Sequence, residues 1–164
     1  MNPFPSCIGI FDSGVGGLSV LKALRQELPH ENLLYFSDSA FAPYGERSEQ
    51  EVVQRSEHIT ATLIQQGAKA LVIACNTATA AAVHHLRQHY PHLPIVGVEP
   101  ALKPASISSQ TRQVGVLATQ RTLASQKFAN MLQNCSHNCH FHLRAATGLA
   151  LAIELGDYTQ IKSL

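Results

Sequence analysis

The sequence contains no tryptophan and few charged residues, 14% in all, with a formal net charge of +1. The low and balanced charge excludes a polybasic nucleic-acid-binding chain, and a hydrophobic content of 45% excludes a disordered one. No apolar run approaches the roughly 20 residues that span a bilayer. With 164 residues the chain can form one domain with a core, or one domain and part of another.

The N-terminus lacks the features of an export signal. Residues 1–7 contain no basic residue and no apolar core, so we expect a cytoplasmic protein. In that compartment cysteines are expected to be free thiols, metal ligands or catalysts rather than disulfide partners. The chain has four of them, at Cys7, Cys75, Cys135 and Cys139.

Short apolar runs alternate with helical patterns along the chain. The alternation predicts an α/β fold in which helices flank a parallel sheet and cover both of its faces. Strands are predicted at residues 8–11, 33–36, 70–74, 95–98 and 113–118. Helices are predicted at about residues 18–28, 48–66, 78–89, 122–132 and 146–155, with Gly67 as a stop signal.

Two polar segments interrupt the pattern. Residues 101–112 are predicted to be a crossover between domains, which assigns residues 1–100 to a first domain without its C-terminal return strands. Residues 101–164 then form part of a second α/β domain. Within that part, residues 135–142 are predicted to be an exposed loop. The chain ends without a predicted closing strand, so we expect the second domain to be incomplete.

Polar side chains follow each predicted strand. They are Asp12 with Ser13, Ser37 with Asp38, Cys75 with Asn76 and Thr77, Glu99, and Thr119. Ligands of open α/β sheets bind beyond the carboxyl ends of the strands, so we expect a site at this edge. Helices that begin here direct N-terminal amides at it, and such amides suit a bound carboxylate.

Cys75 is the residue that points most directly to chemistry. Placement at a helix N-terminus can lower a thiol pKa from about 8.5 into the neutral range, where the thiol can take or give a proton. The alternative interpretation is a small buried hydrophobe at the end of a strand. Asn76 and Thr77 favour the functional interpretation because both can cap the helix and present donors to a carboxylate.

Two other patterns have ordinary structural explanations as well. Residues 14–17 depart from the dinucleotide fingerprint because Ser19 stands where its last glycine would be. A capping residue of a tight turn is therefore as good an interpretation of Asp12 as a functional residue. Residues 43–45, Pro-Tyr-Gly, are explained by a β-turn.

A zinc site is the weaker interpretation of the cysteine and histidine cluster near the C-terminus. Its spacing leaves little loop to wrap a tetrahedral ion, and no second ligand pair follows. We therefore predict no metal there. The cluster comprises Cys135, Cys139, His140 and His142.

Taken together, the motifs resemble those of the glutamate racemase family. Residues 11–20 resemble the family's N-terminal signature, and residues 43–45, 74–80, 97–100 and 115–119 resemble its later blocks in the same order. The resemblance covers essentially the whole chain. It implies interconversion of L- and D-glutamate, which supplies D-glutamate for peptidoglycan, with no cofactor and no metal.

The resemblance also implies roles for individual residues. Family members place two cysteines on opposite sides of the substrate α-carbon, where one thiolate removes a proton and the other thiol returns one. Cys75 matches the first of these and is the expected catalytic residue. Glutamate is the implied partner, without nucleic acid or membrane, and a homodimer is left open. The implied substrate-binding residues are Asp12, Ser13, Tyr44, Gly45, Asn76 and Thr77.

Three other functions stay open at this point. The family's second cysteine lies in a Gly-Cys-Thr-His block that the 164 residues do not contain, which allows a non-catalytic binding protein. An aspartate or hydantoin racemase of the same superfamily is the second alternative. The third is a Cys75 esterase or acyltransferase, which requires a histidine to orient the thiol, and no histidine follows a predicted strand.

We predict that the 164-residue chain alone converts L-glutamate to D-glutamate very slowly. Two-base racemisation needs a proton donor on each face of the α-carbon, since a single base returns the proton to the side it came from. Chiral chromatography after incubation with L-glutamate measures the product. Turnover at the rate of an ordinary enzyme would contradict the prediction.

Overall fold

The computed structural model describes residues 6–137 and 139–163, and the chain divides into two compact units between Val98 and Glu99. Residues 1–5, used above to argue against an export signal, and Leu164 lie outside the described residues. Within the described ranges, no helix is long and apolar enough to cross a membrane. The division falls two residues before the predicted domain boundary, and that domain assignment stays a prediction.

The first unit is a parallel sheet with helices on both faces, which confirms the predicted fold class. Its four strands, β1 (Cys7–Asp12), β2 (Asn32–Ser37), β3 (Ala68–Ile73) and β4 (Ile95–Gly97), lie in the order β2-β1-β3-β4, and each neighbouring pair is parallel. The chain crosses from β2 over β1 to β3, so the direction of strand addition reverses beside β1. In chain order the elements are β1 (Cys7–Asp12), α1 (Leu18–Glu27), β2 (Asn32–Ser37), 3-10 helices at Ser39–Phe41 and Tyr44–Glu46, α2 (Glu49–Gln65), β3 (Ala68–Ile73), α3 (Asn76–His89) and β4 (Ile95–Gly97).

The alternation of side chains along the strands divides the core between the two faces of the sheet. On one face α1 packs partly buried side chains, including Leu21 and Leu24, against Ile10 and Val72. The other face lies beneath α2 and α3. Its buried residues include Phe11, Ile73, Val52, Ile59, Leu63, Ala78, Ala82 and Leu86. Leu18 and Leu28, the apolar residues at the two ends of the helix predicted at 18–28, are exposed and do not take part in this packing.

Helix α2 begins after a capping residue, Ser48, and ends just before Gly67, the predicted stop signal. The Ser48 hydroxyl accepts a hydrogen bond from the Glu51 amide, and the Glu51 carboxylate accepts one from the Ser48 amide. This reciprocal pair satisfies two amides at the N-terminus of the helix. Gly67 follows the helix with φ of +94°, a conformation that favours glycine.

The second unit is built on a parallel pair of strands. Strands β5 (Gln113–Ala118) and β6 (His140–Ala145) pair along their whole length, from Gln113 with His140 to Ala118 with Ala145. One face of the pair is open to solvent, where Leu117 is 67% exposed, so the prediction that helices cover both faces is wrong for this pair. The elements are α4 (Leu102–Ser108), β5 (Gln113–Ala118), α5 (Gln120–Ala124), α6 (Gln126–Cys135), β6 (His140–Ala145), α7 (Leu149–Leu155) and α8 (Tyr158–Ser163).

Two local predictions for the second unit are wrong, and a third segment contains a helix that was not predicted. The expected crossover at 101–112 contains α4, in which Pro104 is tolerated because first-turn amides have no helical partner. The helix expected at 122–132 is two helices, because Ser125 is extended and caps α6 by accepting a hydrogen bond from Phe128. The expected loop at 135–142 contains the start of β6, which pairs with β5 despite its polar side chains.

Gly17 occupies a position where the start of α1 approaches the sheet closely. A Cβ atom there would lie 2.6 Å from the Cβ of Asp12, 2.7 Å from the Tyr35 hydroxyl and 3.0 Å from the Cβ of Ala74. Separations this short require a shift of backbone or of packed side chains. The absence of a side chain at residue 17 therefore sets the distance between α1 and the strand end that carries Asp12.

We predict that Gly17→Ala lowers the free energy of unfolding by about 1–3 kcal/mol, the usual cost of overpacking. Urea denaturation followed by circular dichroism measures the change. Gly115→Ala is the control, because a Cβ at Gly115 has no neighbour within 4 Å among the described residues. Equal losses in the two variants would contradict the packing account.

Candidate active site

Two adjacent parallel strands bring Asp12 and Cys75 to the same edge of the sheet. Phe11 of β1 pairs with Ile73 of β3, and the Ala74 amide donates a 2.8 Å hydrogen bond to the Phe11 carbonyl. Asp12 ends β1, and Cys75 comes two residues after β3. The strand order reverses between these strands, and a crevice opens at such a switch point. The predicted meeting of strand-end residues is therefore observed for this pair.

Cys75 is the N-cap residue of α3. Its Sγ accepts a hydrogen bond from the Ala78 amide at 3.4 Å and lies 3.7 Å from the Ser13 hydroxyl oxygen. The residue is 7% exposed. The thiol is thus buried at the edge of the apolar core beneath α2 and α3, and it also lies at the corner formed by Asp12 and Ser13.

The expected lowering of the Cys75 pKa is wrong. Burial, followed by the charge of the Asp12 carboxylate, raises the pKa of Cys75 to about 11. Hydrogen bonds from Ala78 and Ser13 act in the opposite direction but do not outweigh these two causes. A helix N-terminus lowers the pKa of a thiol only where its effect exceeds the opposite effects of desolvation and of a neighbouring negative charge.

Asp12 holds the turn that follows β1. Its Oδ2 accepts hydrogen bonds from the amides of Gly14 at 3.2 Å and Gly17 at 2.9 Å. The residue is 6% exposed. The capping interpretation drawn from the sequence therefore describes its contacts, and the same contacts fix a carboxylate beside the Cys75 thiol.

A second buried carboxylate, Asp38, joins two further side chains at this edge. Asp38 is 4% exposed and accepts a 2.6 Å hydrogen bond from the Tyr44 hydroxyl. Arg55 of α2 donates to both of its oxygens, from Nε at 3.0 Å and from Nη2 at 2.7 Å. Burial first, then Asp38, raise the pKa of Tyr44, and Cys75 also contributes. The Tyr44 phenol is therefore a neutral donor near Cys75.

The remaining predicted substrate-binding residues lie beside these groups in the chain. Asn76 is the exposed first residue of α3, and Thr77 is buried behind it. The N-cap is Cys75 itself, so the expectation that Asn76 or Thr77 caps the helix is wrong. Gly45 is half-buried in the 3-10 helix that contains Tyr44. The structure thus places these three residues on the elements that carry Cys75 and Tyr44.

Sequence reasoning placed Asp38 at this edge of the sheet, because it follows the second predicted strand, but gave it no role. It missed Arg55. Arg55 lies three residues after Val52 and four before Ile59, both fully buried. A charged residue at the margin of a buried helical stripe is the only signal for it, and that signal does not identify its partner.

The two strand-end residues of the second unit have partners within that unit. Glu99 forms a 2.6 Å ion pair with Lys127, and Thr119 caps α5 by accepting a hydrogen bond from the Thr122 amide. His142 contacts Gln113 at 2.7 Å across the strand pair. Over the part of the chain that the structure describes, no three His, Cys, Asp or Glu side chains are arranged to hold a metal ion.

Comparison with known proteins gives a consistent result. The model of the Asp/Glu/hydantoin racemase family matches residues 8–160. The chain is 53% identical over 150 residues to the glutamate racemase of Stutzerimonas stutzeri and 54% identical over 150 residues to that of Ralstonia pickettii. These matches cover 92% of this chain but only 57% and 53% of the relatives. The chain thus spans little more than half the length of these curated relatives.

Solved structures show the same fold. Glutamate racemase RacE1 of Bacillus anthracis superposes with a TM-score of 0.81 at 34% identity, over 96% of this chain and 60% of that one. The Escherichia coli glutamate racemase, solved with L-glutamate and the activator UDP-MurNAc-Ala, superposes with a TM-score of 0.82 at 34% identity. That match covers 90% of this chain and 55% of the other.

We predict that alkylation of Cys75 by iodoacetamide accelerates about tenfold per pH unit from pH 7 to about 10 without reaching a plateau, because only the thiolate reacts. The raised pKa of Cys75 keeps the thiolate scarce throughout this range. Peptide-resolved mass spectrometry separates Cys75 from the other three cysteines. A plateau below about pH 8 would show instead that the helix N-terminus controls the thiol.

Proposed function

The chain belongs to the Asp/Glu/hydantoin racemase family, and we propose that it carries one of the two proton-transfer groups of a glutamate racemase. The observation that supports this most directly is the Cys75 thiol beside Ser13 and Asp12 at the switch point of the sheet. The identity of 53–54% to proteins named glutamate racemase supports glutamate over aspartate or hydantoin as substrate.

In the proposed reaction the Cys75 thiolate removes the α-proton of glutamate from one face. The proton passes to sulfur, and its electron pair stays on the α-carbon. An acid on the opposite face then protonates that carbon, which inverts the configuration. The family resemblance implies that this second acid is a cysteine in a Gly-Cys-Thr-His block, which the 164 residues do not contain, and that no cofactor takes part.

The substrate contacts are proposed from the geometry of the sheet edge. Asp12 pairs with the substrate ammonium, while Ser13, Asn76 and Thr77 supply polar groups for a carboxylate. The Tyr44 hydroxyl already donates to Asp38. We therefore propose that Tyr44 and Gly45 contact glutamate through the backbone of their 3-10 helix and not through the phenol.

Substrate binding itself changes the charge around Cys75. The Asp12 carboxylate is the second cause of the raised pKa of the thiol. An ammonium beside Asp12 cancels much of that negative charge, so it lowers the pKa of Cys75 toward the physiological range. The thiolate fraction of Cys75 is then larger when glutamate is bound than in the free protein.

The cellular location, biological role and oligomeric state of the enzyme are also proposals. The family resemblance supports a cytoplasmic protein that supplies D-glutamate for peptidoglycan without binding a membrane. A homodimer belongs to the same proposal, and light scattering of the purified protein tests it.

We predict that L-glutamate protects Cys75 from alkylation at about pH 9.5, where the reaction is fast enough to follow. Bound glutamate raises the thiolate fraction, but it covers the sulfur and so excludes the alkylating reagent. L-Aspartate and hydantoin should protect less at equal concentration. Asn76→Ala should weaken the protection, because Asn76 is proposed to hold a carboxylate. Cys135, in the second unit, is the internal control and should react at an unchanged rate.

Two outcomes of this measurement would contradict the proposal. One is the absence of any protection by L- or D-glutamate. The other is stronger protection by aspartate or hydantoin, which would assign the chain to another branch of the family.

A further inference from the structure

We propose that Arg55 is a positioning residue that sets the affinity of the site for glutamate, because it holds residues 38–47 in place through Asp38. This inference rests on the proposed function, in which Tyr44 and Gly45 contact the substrate. Arg55 itself lies on α2, outside every motif that the sequence analysis identified.

The ion pair between Arg55 and Asp38 has the geometry of a strong interaction. Two guanidinium nitrogens donate to two carboxylate oxygens, at 3.0 and 2.7 Å, and the Asp38 side chain is only 4% exposed. A planar fork of this kind fixes orientation as well as distance, which a lysine ammonium does not. Because the pair is largely buried, replacing one partner would leave the other charge desolvated and unpaired, which is destabilising.

Arg55 holds the segment at a second point as well. Its guanidinium carbon lies 3.9 Å from the centre of the Phe41 ring, within the range of a cation–π contact. Arg47 also contacts this ring, at 5.1 Å, and donates a hydrogen bond to the Phe41 carbonyl. Arg55 thus connects one rigid helix to two residues of a segment that consists of 3-10 turns.

The Asp38 carboxylate connects Arg55 to Tyr44. Its Oδ2 accepts from the Tyr44 hydroxyl at 2.6 Å and from Arg55 at the same time. The Asp38 amide donates to the Asp12 carbonyl at 3.0 Å, which ties the start of the segment to the end of β1. Arg55, Asp38 and Tyr44 therefore form one chain of contacts that ends beside Cys75.

Arg55 should affect the binding of glutamate but not the reactivity of the Cys75 thiol. No contact joins Arg55 to Cys75, Ser13 or Asp12 in the hydrogen bonds and ion pairs of the described residues. Loosening the segment should therefore weaken glutamate binding and leave the reactivity of the free thiol unchanged. A residue that only stabilises the fold would loosen the whole unit.

The experiment compares Arg55→Lys with wild type in the full chain by hydrogen exchange and by titration with L-glutamate. Exchange at amides 41–47 should accelerate at least about tenfold, while β1 and α3 exchange at the wild-type rate. The dissociation constant for L-glutamate should rise about tenfold, because a segment that must first be ordered binds more weakly. Alkylation of Cys75 without glutamate should keep its wild-type rate.

Arg87→Lys is the matched control. Arg87 also lies on a helix of the first unit and donates two hydrogen bonds, both to the Ile95 carbonyl. It should change neither the exchange of residues 41–47 nor glutamate binding.

Tyr44→Phe is a second test, since it removes the hydroxyl but keeps the ion pair between Arg55 and Asp38. Adding Arg55→Lys to Tyr44→Phe should raise the dissociation constant for L-glutamate by a smaller factor than Arg55→Lys does in wild type.

Each outcome decides the proposal. Wild-type exchange at residues 41–47 in Arg55→Lys would overturn it, as would wild-type glutamate affinity despite faster exchange. Faster exchange throughout the first unit would show a general stabilising role and would overturn it as well. If wild type itself binds no glutamate, the proposed function fails, and the exchange result alone then decides whether Arg55 holds the segment.

Discussion

The parallel pairing of β1 with β3 is the constraint on which the site depends. It places Asp12 and Cys75 at one edge of the sheet although they are 63 positions apart in the sequence. Helices α1 and α3 leave this edge on opposite faces, which opens a crevice between them. Gly17 and the turn amides bound to Asp12 then fix the carboxylate close to the thiol.

Burial of the thiol gives the site its particular electrostatics. A buried sulfur beside a carboxylate keeps its proton, so the free protein holds a thiol of low reactivity. The positive charge of an amino acid substrate is the natural counterpart of this arrangement. The proposed chemistry thus couples formation of the base to binding of the molecule it acts on, which limits side reactions of a thiolate.

Much of the first unit could be predicted because its sequence signals are local. Apolar runs and the Gly67 stop each specify an element within a few residues. The second unit was harder to predict, since β6 becomes a strand through pairing with β5 and not through its own polar residues. The pKa of Cys75 and the role of Arg55 depend on contacts between distant residues, which spacing along the chain does not reveal.

The central claim is that the Cys75 sulfur exchanges a proton with the α-carbon of glutamate. Proton NMR of L- and D-glutamate incubated with the chain in D2O tests it directly. A single base should replace the α-hydrogen of one enantiomer by deuterium with retention of configuration, and Cys75→Ala should abolish the exchange. Absence of exchange in both enantiomers, or exchange that survives Cys75→Ala, would contradict the account.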